Sequence, residues 1–108
     1  KYDRLEVTEQ GEVFLYAKDR RLQPWQLSRG AMEQLYFALR LGAGRCMLEE
    51  EPMPILLDET FCAYDDIRLG RTFQWLARQE EQIVLFTCRR RELELLGELG
   101  IEHHLILL

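Results

Sequence analysis

Between Pro54 and Gly100, apolar runs of strand length alternate with segments of helical period, and this alternation constrains the fold more than any other feature. Ile55-Leu56-Leu57 is a continuous apolar run ending in two acids, Asp58 and Glu59. It reads as a strand buried on both faces. Asp65 or Asp66 can cap a helix that carries Leu69, Phe73 and Leu76 on one stripe. Residues 83–87, Ile-Val-Leu-Phe-Thr, read as another buried strand. Leu93, Leu95, Leu96 and Leu99 mark a short helix over 92–99, weakened by Gly97 and stopped by Gly100, and 104–108 reads as a last strand. Strand, helix, strand, helix, strand implies parallel pairing through right-handed crossovers. The class is α/β.

The first third of the chain is of another kind. Leu5 and Val7, then Val13, Leu15 and Ala17, alternate with polar residues around Glu9-Gln10-Gly11, the pattern of a β-hairpin with one buried face. Pro24-Trp25-Gln26 forms a loop leading to Ser28, a good N-cap. Met32, Leu35, Tyr36 and Leu39 then recur at helical spacing, which predicts an amphipathic helix to about Leu41, near Gly42-Ala43-Gly44. Pro52 and Pro54 bracket the loop that follows.

The 108 residues leave room for one domain, 1–108, with one core. No apolar run approaches the roughly 20 residues of a membrane span. A net charge of −5 argues against the chain as a whole being a nucleic-acid-binding surface. Cys46, Cys62 and Cys88 are odd in number and scattered, which disfavours disulfides and zinc and fits a reducing, cytoplasmic setting. His103 and His104 are adjacent on the expected strand and would point to opposite faces, so a solvent-exposed strand end is the default for them.

Two segments can carry chemistry. At the start of a helix, free N–H groups and the dipole favour an anion; Ser28 adds a hydroxyl and Gly30 permits close approach of a phosphate. A plain capped helix explains Ser28 equally well. A buried strand that ends in Asp58 and Glu59 delivers two carboxylates where open α/β sheets bind ligands. One can help to hold Mg²⁺ while the other orients and deprotonates a water. Solvated acids at a strand end are the alternative.

Taken together and in order, these segments resemble the ABC-ATPase superfamily. Leu27-Ser28-Arg29-Gly30 resembles its signature motif, Ile55 to Glu59 its Walker B strand with the catalytic Glu, and Thr60 to Asp65 its D-loop. Residues 83–87 resemble the strand that leads into the switch. No Gly-x-x-x-x-Gly-Lys-[Ser/Thr] loop occurs, and the two lysines are Lys1 and Lys18. The run Gln26 to Gly30, with Glu33-Gln34-Leu35-Tyr36 and Ala38 to Leu41, is similar to YhaN-like bacterial ATPases, relatives of the SbcC and SMC proteins.

That resemblance implies the C-terminal half of a P-loop head, with parallel strands, crossover helices and an N-terminal β-hairpin. It also implies ATP and Mg²⁺ as ligands, with Glu59 catalytic, Asp58 toward Mg²⁺, Ser28, Arg29 and Gly30 contacting nucleotide in trans, and Asp65 in the D-loop. Its expected partners are the protein's own N-terminal Walker A lobe, upstream across a coiled coil, a second head in a homodimer, and DNA through the full-length protein. Two residues depart from the family pattern. Arg29 replaces a common Gly and stands as either an arginine finger or a solvated side chain. Thr87-Cys88-Arg89 lacks the usual switch His, which leaves Arg89 as its replacement or Arg89-Arg90-Arg91 as a solvated helix start. A transporter ATPase fragment and a degenerate head that only dimerises are the competing functions. Without a phosphate-gripping loop the chain by itself is expected to be inactive.

Overall fold

The computed structural model describes residues 2–47 and 53–108. Among them, the residues up to Ala43 and those from Gly44 onward form two compact units.

The first unit opens with β1 (Arg4–Val7) and β2 (Val13–Ala17), paired antiparallel with Leu5 opposite Leu15. The turn between them closes on Gly11, whose φ of 84° is easy for glycine, and Gly11 N–H donates to Thr8 O at 2.9 Å. A third strand, β3 (Arg20–Leu22), extends the hairpin to a sheet of order β1-β2-β3. Sequence reasoning misses it because Arg-Arg-Leu has no alternating apolar pattern. The turn into it is held from outside: Lys18, with φ 55°, donates its N–H to Asp3 Oδ2 at 2.7 Å. Burial also departs from a one-faced hairpin, since neighbours Phe14 and Leu15 are both buried while Leu5 and Val7 are exposed.

A single 3₁₀ turn (Pro24–Gln26) leads into α1 (Arg29–Met47). Leu15, Leu27, Ala31 and Leu35 form the buried cluster of this unit, with Val13, Met32 and Leu39 packed against it. The helix runs past the expected end at Leu41, although each interior Gly costs about 1 kcal/mol relative to Ala. Arg45 in its last turn supplies an opposing anchor: its Nε and Nη2 hold both oxygens of Glu81 at 2.9 and 3.1 Å, and Nη2 also reaches Gln79 Oε1. Of the two prolines expected to bracket the next loop, Pro52 lies outside the described residues.

In the second unit, β4 (Ile55–Asp58) pairs in parallel with β5 (Ile83–Phe86), Leu57 opposite Leu85 and Asp58 opposite Phe86, as the alternation predicts. Between them runs α2 (Asp66–Ala77), with Leu69, Phe73 and Leu76 buried along its stripe. α3 (Arg90–Glu98) follows β5, and Gly100 ends it at φ 66°. Three expectations fail here, one being that β5 is buried, since Ile83 to Leu85 are half-buried and Phe86 is exposed. β4 is not buried on both faces: Leu57 is 5% exposed but Leu56 is 68% exposed, because a two-stranded sheet covers one side only. Residues 104–108 form no strand, and Leu105 to Leu108 are exposed, since among the described residues no edge pairs with them.

Candidate functional site

The acids at the end of β4 sit beside the start of α3, and the parallel register is what brings them there. Glu59 N–H continues the ladder by donating to Phe86 O at 3.0 Å. One residue beyond the strand, the Glu59 backbone turns into the left-handed region at φ 49°, a conformation non-glycine residues hold only when their surroundings enforce it. Its side chain points across to the segment after β5. Cys88 N–H donates to Glu59 Oε1 at 2.6 Å, and Arg89 Nε lies 3.9 Å from Oε2. Cys62 Sγ stands 3.1 Å from Glu59 O and 3.7 Å from Oε2.

This setting favours the carboxylate. The Cys88 N–H, and next the Cys88 thiol, hold Glu59 below its ordinary pKa against some desolvation, with smaller help from the Cys62 thiol and the charge of Arg89. The same contact pushes the Cys88 thiol up, chiefly through its hydrogen bond to Glu59 and the nearby negative charge. Glu59 is therefore held as a carboxylate with one oxygen already engaged.

Asp58 is exposed at the end of β4. Among the described residues no group of three His, Cys, Asp or Glu side chains is placed to hold a metal ion. Asp65 caps α2: its Oδ1 accepts from Arg68 N–H at 2.7 Å and its Oδ2 lies 3.3 Å from Arg68 Nη1. The cap bond holds its pKa below the ordinary value. Thr87 Oγ1 accepts from Arg89 N–H at 3.0 Å, which shapes the turn that aims Cys88 at Glu59.

The Ser28-Arg29-Gly30 turn belongs to the first unit. Ser28 Oγ accepts from Ala31 N–H at 3.2 Å, the N-cap expected. Gly30 is buried, and Arg29, 85% exposed, pairs with Glu33 one turn along at 3.3 Å.

Two site residues escape sequence reasoning. Cys62 lies in the loop after Glu59 and touches its carboxylate, and nothing in its spacing announces this. Arg91 corrects the reading of 89–91 as a solvated helix start: its Nη1 and Nη2 donate to Tyr64 O at 2.7 Å and Phe61 O at 2.9 Å.

The chain matches no protein-family profile. It is 38% identical over 66 residues to the uncharacterized protein YhaN of Bacillus subtilis (strain 168), a match covering 58% of this chain and 7% of that relative. Over that part it is a distant homologue of YhaN. Among solved structures it superposes, with a TM-score of 0.61 and 18% identity, on one from the structural biochemistry of ATP-driven dimerization and DNA-stimulated activation of SMC ATPases. The fold is like that of part of an SMC ATPase head. The match covers 78% of this chain and 52% of the solved one, so the chain spans about half of the SMC ATPase it resembles. The antiparallel three-stranded sheet and the parallel β4–β5 pair are the mixed α/β architecture that underlies this likeness. Among the described residues, no helix is long and apolar enough to cross a membrane.

Proposed function

We propose that this chain is the C-terminal lobe of an SMC-like ATPase head and that it contributes the hydrolytic side of an ATP site. The observation that carries the reading is the Cys88 N–H held 2.6 Å from Glu59 Oε1, which joins the acid after β4 to the switch position after β5. Oε2 remains on the side of Arg89 and Cys62, where it accepts a hydrogen bond from the attacking water. Phosphoryl transfer through a loose transition state asks for a positioned water and charge stabilisation more than for a strong base, and a Glu of lowered pKa suits that demand. Asp58 is a hard oxygen donor suited to Mg²⁺, which would neutralise charge on the phosphates.

Ser28, Arg29 and Gly30 present a helix N-terminus to the phosphates bound by a second head. The phosphate-gripping loop comes from an N-terminal lobe of the same protein. DNA handling in the cytoplasm is the corresponding biological role; the likeness to DNA-stimulated SMC ATPases and three exposed free cysteines, compatible with a reducing compartment, support it.

The test is Glu59→Gln in the full-length protein. The amide keeps the acceptor for Cys88 N–H, so ATP-driven dimerisation should persist in sizing chromatography while turnover falls about 10²-fold or more. Turnover at the wild-type rate would remove Glu59 from the reaction and leave a scaffold that only dimerises.

A further inference from the structure

The loop that leaves Glu59 and the segment that approaches it are joined a second time, by a residue with no part in the proposed chemistry. Arg91 stands in the first turn of α3 and its guanidinium spans two carbonyls, Tyr64 O at 2.7 Å and Phe61 O at 2.9 Å. Those carbonyls flank a tight turn in which Tyr64 N–H donates to Phe61 O. The turn is anchored from beneath, because Phe61 and Tyr64 are 1% and 2% exposed and the Phe61 ring packs edge-on against Phe73 of α2. The cation is held from the sides by Asp66 Oδ1 at 3.6 Å and by Glu92 Oε1 at 3.8 Å, Glu92 itself being only 3% exposed.

Glu59, the 60–64 turn, Arg91 and Cys88 thus form a closed ring. One closure is Cys88 N–H on Glu59 Oε1; the other is the two-pronged Arg91 contact, three residues along from Cys88. α3 begins at Arg90, and the bend that joins it to Cys88 is closed by Arg89 N–H on Thr87 Oγ1 at 3.0 Å, so an Arg91 fixed to the 60–64 turn also restricts where the Cys88 N–H points. The left-handed backbone of Glu59 needs such over-determination to persist.

We propose that Arg91 is a positioning residue: by clamping the 60–64 turn to the first turn of α3 it holds the Cys88 N–H, and through it the Glu59 carboxylate, in register for the reaction. This rests on the ATPase reading above for its kinetic consequence, though not for its structural one. A planar guanidinium can donate to two carbonyls at once, whereas a lysine ammonium matches that fork poorly.

The experiment uses the full-length protein with Arg91→Ala and Arg91→Lys, read by ATP turnover and by amide hydrogen exchange. Arg91→Ala should lower kcat about tenfold or more while KM for ATP stays within about twofold, since misplacement by an ångström is felt in the chemical step rather than in binding. Exchange at 87–89 should speed up about tenfold, with protection over 69–76 of α2 retained. Millimolar methylguanidinium should restore part of kcat in Arg91→Ala and none in Glu59→Gln, and Arg91→Lys should fall between wild type and Ala.

Unchanged exchange at 87–89 in both variants overturns the clamp. So does a loss of kcat that methylguanidinium leaves untouched. Should Arg91→Ala lose protection in α2 as well, Arg91→Lys decides by the same readouts. If the wild-type protein turns over no ATP, the proposed function fails and the exchange at 87–89 still decides whether Arg91 holds Cys88.

Discussion

The turn before α1 and the loop after β4 both present polar groups at the mouth of a helix, yet they are organised in opposite ways. Around Ser28 the side-chain hydrogen bonds are local: Ser28 to Ala31, Arg29 to Glu33, and Gln23 N–H to Gln26 Oε1 at 2.8 Å. Around Glu59, beside the local Cys62 contact, hydrogen bonds through Cys88 and Arg91 join residues 27 to 30 positions apart. A locally closed turn needs little else to form, and it leaves Arg29 in solvent. A loop held across the unit is pre-organised, and it stores a left-handed Glu59 that a free loop would relax. The first suits a surface offered to another molecule. The second suits chemistry that tolerates little displacement.

The comparison breaks most readily at Phe61. Its ring is 1% exposed and sits between Tyr64 and Phe73, so Phe61→Ala should destabilise the second unit by about 3–5 kcal/mol, measured by denaturant unfolding of the full-length protein. A loss below about 1 kcal/mol would mean that the 60–64 turn is not anchored by its core side and that long-range tethers matter less than argued.

The two helix caps sharpen the contrast at smaller scale. Ser28→Ala should cost about 1 kcal/mol, with no dependence on pH between 3 and 7, because a hydroxyl does not titrate there. The Asp65 cap should behave differently. Its folded pKa is lowered, mainly by the Arg68 N–H, so its contribution is complete above the ordinary aspartate value of about 3.9. It disappears as pH falls through the lowered folded value. Stability of wild type minus Asp65→Ala, followed from pH 7 to 2, should therefore shrink at the acid end, while wild type minus Ser28→Ala stays level. Parallel curves would place both caps in one class.

Smallest in energy is the reactivity of Cys88. With its thiol pushed up by the Glu59 carboxylate, Cys88 should alkylate more slowly than Cys46 at pH 8, and Glu59→Gln should raise its rate severalfold. Equal rates before and after the substitution would show that the carboxylate does not face the thiol in solution.

Much of this was legible in the chain itself. Apolar runs of strand length and stripes at helical spacing specify β4, α2, β5 and α3, and their alternation specifies the parallel pairing, because each element must bury one face or stripe and only crossovers join parallel strands. Ser28 and Asp65 announce their caps through chemistry that acts within three residues. The resemblance to SMC-type heads was readable for the same reason: its motifs are short, contiguous and ordered. Tertiary structure alone decided the rest. β3 forms because β2 offers Arg20 to Leu22 an edge, whereas 104–108 pairs with no strand among the described residues. Arg91, one of three consecutive arginines, becomes a clamp while Arg90 remains exposed, and Cys62 meets Glu59, because contacts between distant residues depend on where whole elements pack. Local pattern is written residue by residue; convergence across 30 positions exists only once the chain has folded.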